Sequence, residues 1–564
     1  MQKHEPKTKQ QSIKGGFKMK KILIVLTTII SVLFASVSFI SCDSSDIESS
    51  LKYFSFALLS DGSYSIARNS DYDILLYGDY PSDIVIPESF NNKPVTKISK
   101  HAFIGCVSLV NLSLPDSITE IDDEAFAECV NLKSIKLGSK ITRIGYRAFY
   151  KCQSLSDVDL PKGITSLGEG AFDYCGEGII TNENGVSYIG NWAVGIESLL
   201  IETADIKEGV CGIADGAFSN CTNLKRTNIP DSVKYLGRLA FRDSGLEKIV
   251  IPGSIQVIGG RAFSGCDSLS SVKICEGVTY LDCESFSYCK NLLEVKLPQT
   301  LTNIGQQAFG ESEGEAFTIE DGLIYVDDWV IGVDEEKRKV ITSAVIKDGT
   351  IGIGSYAFAF CDNLVSLSIP RSMVHINERS IIDCAGITDL RVEAENEKYY
   401  VKDNCLIDKT SMEIVRGCKT SVIPTDGSIQ RIGNMAFYDG YGKAYIEIPE
   451  SVTSIGEAAF LGESDLKSVK IPGSVKTIGD WAFNGCDNLE SVKISEGVIE
   501  IGELAFLECR SLTTISIPDS VKRVGNSAFS RCESLKSIYI GEGVESIADG
   551  AFILASNIEK IEVS

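Results

Sequence analysis

"IGEAAFLGESDLKSVKIPGSVKTIGDWAFNGCDNLESVKI", residues 455–494, restates itself after 23 residues. From Ile455 and again from Ile478, the order isoleucine, glycine, Ala-Phe, leucine, Val-Lys-Ile returns. The Ala-Phe pair carries this rhythm along the chain, starting at 102, 125, 148, 171, 217, 240, 262, 308, 357, 436, 459, 482, 505, 528 and 551, with Ser285-Phe286 and Ser380-Ile381 in the same slot. Nearly all gaps are 23 residues or twice that. A period in this range means one supersecondary turn stacked many times, so the 564 residues need not divide into several ordinary domains.

Each unit reads Ile-Gly-x-x-Ala-Phe-x-x-Cys-x-x-Leu-x-x-Ile-x-Ile-Pro-x-Ser-Val-x-x. The Leu-x-x-Ile-x-Ile stretch, as in Leu489 to Ile494, ends in alternation of period two and predicts a short strand. Proline follows it at 115, 161, 230, 252, 298, 370, 449, 472 and 518, and ends the strand because it cannot donate to a ladder. Ser-Val-x-x-Ile-Gly predicts a second short extended segment on the opposite side of the coil, with the glycine permitting a tight corner. Ala-Phe-x-x-Cys, read as a single helical or 3₁₀ turn, places Phe and Cys on one face.

These residues closely resemble the BspA-like leucine-rich repeat family, whose unit carries the same Ile-Gly-x-x-Ala-Phe-x-x-Cys-x-x-Leu pattern. The match covers about residues 95–564. Ser60-Asp61-Gly62-Ser63-Tyr64-Ser65 and Asn92-Lys93-Pro94-Val95-Thr96-Lys97-Ile98 look like the family's opening segment. The resemblance implies a curved leucine-rich repeat solenoid, β-rich with short helical or 3₁₀ turns and a strand-lined concave face, and by analogy surface adhesion or partner binding. About 17 rungs at roughly 4.8 Å each are expected. An N-terminal β capping segment is assigned to 51–95, and the solenoid to 96–564.

Lys20 and Lys21 precede an almost uncharged run, Ile22 to Ile40, closing on Ser41-Cys42. This predicts a secretory signal over residues 1–41, and Lys14-Gly15-Gly16-Phe17-Lys18, which a purine-rich ribosome-binding sequence can encode, places the expected translation start at Met19. The segment resembles a bacterial lipoprotein signal peptide, which implies lipidation of Cys42, a linker over 42–50 and a surface, outer-membrane location. An uncleaved span or simple secretion are the alternatives. Asp43 can retain lipoproteins at the inner membrane in some bacteria, which leaves the choice of membrane open. Losing residues 1–41 removes seven lysines and one glutamate and takes the formal charge from -23 to -29. Such a charge opposes nonspecific binding to nucleic acid or anionic lipid.

Twelve of the 18 cysteines fall three residues after the Phe slot, where other rungs carry Ser244, Ser312, Gly440, Glu463 or Ala555. Replacement one at a time by other residues fits a packing position holding free thiols rather than bridges. Cys211, Cys275, Cys283, Cys405 and Cys418 lie off this ladder, with Cys275 and Cys283 the best local pair. No set of ligands converges as zinc requires. His101 and His375 read as surface residues, and no constellation supports catalysis, so neither an enzyme nor a cofactor is expected.

The residue between the last two apolar strand positions faces the groove once per rung. Six of these are basic, Lys136, Lys273, Lys296, Arg391, Lys470 and Lys493, against three acidic, Asp159, Glu447 and Glu562. The stripe either keeps the strand face soluble or engages an acidic segment of an extracellular or envelope protein or glycan. Three inserts, near 178–200, 316–342 and 393–420, read as β-hairpins. The first two place Trp192 and Trp329 at an offset of 137, which marks duplication of a block of units. Both tryptophans read as packing on the neighbouring coil, with partner anchoring as the alternative. Glu559, Lys560 and Glu562 discourage edge pairing at the last rung, which favours a monomer. The sequence thus reads as a noncatalytic surface lipoprotein binding a macromolecular partner. A structural spacer of the cell envelope is the alternative.

Overall fold

The computed structural model describes residues 54–59, 61–68, 82–438 and 442–563. The signal segment, the lipidation position Cys42 and the linker 42–50 lie outside the described residues. The described chain forms two units, one ending at Lys409 and the other beginning at Thr410, and both are β-solenoids. Together they make about 20 turns, rather than the 17 expected.

Most turns contribute one strand to each of two parallel-stranded walls, which are broken into several separate sheets. The longer strands have the alternating burial that Ile-x-Ile dictates. In Lys248–Ile251, Ile249 and Ile251 are buried while Lys248 and Val250 face solvent. They pair with the next rung in a register of 23, as in Ile249↔Val272 and Val250↔Lys273. The opposite sheet consists of two-residue strands such as Glu120–Ile121, Arg143–Ile144 and Ser166–Leu167, again parallel and in register. Ser-Val-x-x-Ile is thus strand on the far side, as its apolar spacing requires.

Ala-Phe-x-x-Cys is not a helical turn. Over residues 99–106, N–H groups of Ala102, Ile104 and Cys106 donate to carbonyls three residues back, those of Ser99, His101 and Phe103. The intervening N–H groups of Phe103 and Gly105 instead donate to Ala125 and Ala127 of the next rung, at 2.7 and 2.8 Å. A helix aims its N–H groups along its own axis, all in one direction, and does not alternate them between its own turn and a neighbour. A chain of tight turns leaves alternate groups pointing across the stack, so this segment is a third hydrogen-bonded wall. The geometry requires left-handed backbone at His101 (φ 58°) and Gly105 (φ 70°), and the same slots hold Glu124, Arg147, Leu239 and Trp481 at positive φ. These non-glycine residues cost about 1 kcal/mol or more each, offset by the inter-rung bonds.

The glycine after isoleucine also differs from its expected role. Gly145, Gly479 and Gly502 have no left-handed φ. They bring rungs together instead: a Cβ on Gly479 would lie 2.6 Å from the Gly456 carbonyl carbon, and one on Gly145 would lie 2.6 Å from the Asp123 nitrogen. Other rungs take Asp122, Ala214 or Ala548 in this slot.

The core is a file of stacked rings. Phe103, Phe126, Phe149 and Phe172 run in one series, and Phe218, Phe241, Phe263, Phe286 and Phe309 in a second, with centroids 4.9–5.5 Å apart. Phe437, Phe460, Phe483, Phe506, Phe529 and Phe552 form the series of the second unit, 5.1–5.5 Å apart. Beside them the cysteine thiols donate to phenylalanine carbonyls of the preceding rung: Cys129 to Phe103, Cys289 to Phe263 and Cys532 to Phe506, at 3.1–3.3 Å. Ser312 makes the same bond to Phe286 at 2.7 Å, which explains why serine can replace cysteine there. All the cysteines among the described residues are free. Cys275 and Cys283 are no pair, because one follows the strand Ser271–Ile274 and the other follows Tyr280–Leu281 in the opposite sheet. Burial pushes the Cys266 and Cys361 thiols up to about 11 and Cys532 up to about 12, so these groups stay protonated and weakly reactive at neutral pH.

The N-terminal strands β1 (Phe54–Leu58) and β2 (Tyr64–Arg68) form an antiparallel pair that joins the first rung through β3 (Lys93–Ile98). At the first two inserts the structure forms three-stranded antiparallel meanders. The first comprises β4 (Thr181–Glu183), β5 (Val186–Ile189) and β6 (Trp192–Ile196). The second comprises β7 (Phe317–Glu320), β8 (Leu323–Val326) and β9 (Trp329–Val333), followed by the short helix α1 (Glu335–Arg338). Tyr399–Lys402 and Cys405–Asp408 form a further hairpin. No helix among the described residues is long and apolar enough to cross a membrane.

Candidate binding surface

The strand-face positions singled out by the sequence occupy the equivalent outward position of their own strands, distributed over four separate sheets. Lys136 sits opposite Ser113, Lys273 between Val250 and Lys296, Arg391 opposite Ser368, and Lys470 between Glu447 and Lys493. Their electrostatic states differ. Lys470 bonds to Glu447, whose carboxylate holds the ammonium above the usual lysine range. Arg391 pairs with Asp389 at 2.6 Å, and Lys296 lies 3.6 Å from Asp327 of the second insert. Lys136, Lys273 and Lys493 are exposed and have no ion-pair partner among the described residues. Half of the stripe is therefore compensated within the chain, and three cations remain available to a ligand.

Trp192 and Trp329 are both buried. Each indole lies flat over a glycine of the next rung, where a Cβ on Gly212 or Gly352 would meet the ring at 2.5 or 2.4 Å. Each ring also stacks parallel to an aromatic one rung further on, Trp192 on Tyr235 at 6.0 Å and Trp329 on His375 at 5.7 Å. These contacts make packing their role. His375 is accordingly no simple surface residue: burial lowers its pKa and it covers the indole. His101 remains exposed, 2.7 Å from Glu124. Among the described residues no group of three or more His, Cys, Asp or Glu is arranged to hold a metal ion.

One recurrent polar device escaped the sequence reading. Asn131, Asn223, Asn291, Asn363 and Asn488 each donate from Nδ2 to a carbonyl 24 residues earlier, at 2.6–2.8 Å. The signal was present as Cys-x-Asn-Leu, in Cys129 to Leu132 and Cys486 to Leu489. At the turns, side-chain oxygens of Asp and Asn accept from backbone N–H groups of the next rung. Asp215 Oδ1 accepts from the Arg238 N–H at 2.8 Å, and Asn434 Oδ1 accepts from Glu457 at 2.9 Å.

Burial raises the Asp215 pKa above its ordinary value. An acid raised on folding contributes stability that is fully present below its unfolded pKa and is lost as pH rises through the folded value. The charged form is thus penalised at neutral pH. Asp215→Asn, which keeps the acceptor as Asn434 does, is expected to raise the thermal midpoint at pH 7. The two proteins should converge below about pH 4, as melting followed by circular dichroism across pH will check.

A family model described as the BspA type leucine rich repeat region matches residues 81–198, 196–316, 336–460, 408–506 and 458–564. The chain belongs to the BspA-type leucine-rich repeat family. Among solved structures, a leucine-rich cell surface protein from Faecalibacterium prausnitzii is 21% identical, covering 94% of this chain and 96% of that one, with a TM-score of 0.23. A leucine-rich repeat protein from Bacteroides ovatus is 20% identical over 91% and 98% of the two chains, with a TM-score of 0.21. No curated protein sequence matches. The BspA-type assignment rests on the family match and on the repeat itself.

Proposed function

We propose that this protein is an exported, lipid-anchored surface protein that binds a macromolecular partner noncovalently, and that it works by binding rather than catalysis. The partner class is an extracellular or envelope protein or glycan presenting negative charge, and the protein acts as a monomer. The observation that carries this reading is the outward strand position at which Lys136 and Lys273 of one unit, and Lys493 of the other, each stand exposed without internal ion pairs, in a strongly acidic chain. An acidic protein that keeps uncompensated cations on its strand faces repels most anions at long range and selects at short range those that fit these strand faces. Cys42 supplies the anchor in this reading, and family membership supports the surface location.

The test is capture by the exported protein of host matrix proteins, other bacteria or envelope extracts, with and without charge reversal at Lys136, Lys273 and Lys493. Saturable, salt-sensitive capture that the reversal reduces at least tenfold, with an unchanged circular dichroism spectrum, supports this reading. Capture that survives the reversal rejects the stripe. No capture at all favours a structural spacer.

A further inference from the structure

The two duplicated blocks differ at many positions, and one group of differences falls together in space. In the first, Asn182 of β4 faces Ser187 of β5, and their side chains hydrogen-bond at 2.8 Å. In the second, the corresponding cross-strand pair is Ile319 of β7 and Ile324 of β8. The same replacement continues around this pair. Ile331 stands for Val194, Tyr356 for Gly216, and Phe360 for Asn220. All five residues of the second block line one cleft of about 980 Å³, whose floor includes the buried Phe309. Ile319 is 59% and Phe360 61% exposed. A polar cross-strand pair on one copy has become an apolar pair on the other, set in a cleft that also carries polar side chains, and the fold accommodates both.

Two features say what fits there. The first is the edge. β7 is the terminal strand of its sheet, and it pairs only with β8. Its hairpin closes through the two residues Asp321 and Gly322, both at positive φ. Antiparallel alternation then turns the Ile319 N–H and C=O away from β8, toward the open side. No proline interrupts this edge, and its one charge, Glu320 beside the turn, is paired with Lys347 at 2.7 Å. The second is charge. Glu311, Asp334, Glu335 and Asp362 line the cleft without ion pairs among the described residues, against Arg338 and Lys339. The rim is therefore net acidic.

We propose that this cleft receives an extended peptide segment of a protein partner, alternating apolar and basic side chains, that adds as a strand to the free edge of β7. Its backbone pairs with Ile319, its apolar side chains enter between Ile324, Ile331 and Phe360, and its basic side chains meet the acidic rim. This deepens the binding-module reading and rests on it, but it is independent of the basic stripe.

The test uses the full chain and acetylated seven-residue peptides, measured by fluorescence anisotropy. A valine–lysine alternating peptide is expected to bind at least tenfold more tightly than its valine–glutamate counterpart. The variant Ile319→Asn, Ile324→Ser, Phe360→Asn, which installs residues the first block already carries, should lose that binding at least tenfold with an unchanged melting curve. Of two peptides N-methylated at odd or at even residues, one should fail to bind. Equal binding of the glutamate peptide, survival in the triple variant, or indifference to both methylation patterns overturns the proposal. Stripe reversal should leave peptide binding unchanged. Capture of the natural partner that persists in the triple variant overturns the cleft while leaving the stripe standing.

Discussion

Gly497→Ala is expected to lower the stability of the second unit by about 3 kcal/mol or more, read as a fall in the urea midpoint. Two independent constraints meet at this residue. Its φ is 113°, a conformation in which an L side chain is strained, and a Cβ there would lie 2.3 Å from the Gly473 carbonyl oxygen. The neighbour cannot retreat. Lys476 Nζ bonds the carbonyls of both Gly473 and Gly497, and the Gly497 N–H donates to Ser520 Oγ at 2.8 Å. The corner is tied from both sides, so neither backbone can relax without breaking bonds to a third rung. Gly253 and Gly277 form the same couple in the first unit, again with a glycine after proline facing one in Glu-Gly-Val. Gly163→Ala is the comparison: its Cβ would meet nothing closer than 3.8 Å, and the change should stay within about 0.5 kcal/mol.

That coupling between Gly473 and Gly497 was legible in the sequence only as two separate turn signals. The repeat length, the two strand segments and the inward file of Phe, Leu and Ile were all readable, because spacing alone determines which residues share a face. The Ala-Phe-x-x-Cys segment was not. A three-residue spacing suits a helical face and a chain of turns equally. Moreover, the residues forced to positive φ include Leu239, Trp481 and Leu504, types that give no warning of it. The candidate surface was half legible. Register placed Lys273 beside Lys296, but Asp327, which compensates Lys296, comes from an insert whose path the repeat does not set. The cleft at β7 was invisible for the opposite reason. Comparing the blocks reveals Ile319 and Phe360 as substitutions, yet only coordinates show that they face one another's space.

Phe506→Ala is expected to cost about 3–5 kcal/mol, the range for emptying a fully buried aromatic site. Phe506 has no exposed surface and lies between Phe483 and Phe529, both 5.2 Å away and within 4° of parallel. Removing it takes away two ring contacts and leaves a void that rungs fixed by hydrogen bonds on three sides cannot close. The Phe506 N–H donates to Ala528 and its carbonyl accepts the Cys532 thiol, so the backbone stays in place while the ring is lost. Because each rung contacts only its neighbours, the loss should act as a break in the stack. Amide exchange should therefore accelerate in the rungs flanking 506 and leave the unit ending at Lys409 unchanged. Phe506→Leu retains much of the volume and should recover more than half of the loss. Uniform acceleration across the whole chain would show that the turns do not unfold as neighbours in a row.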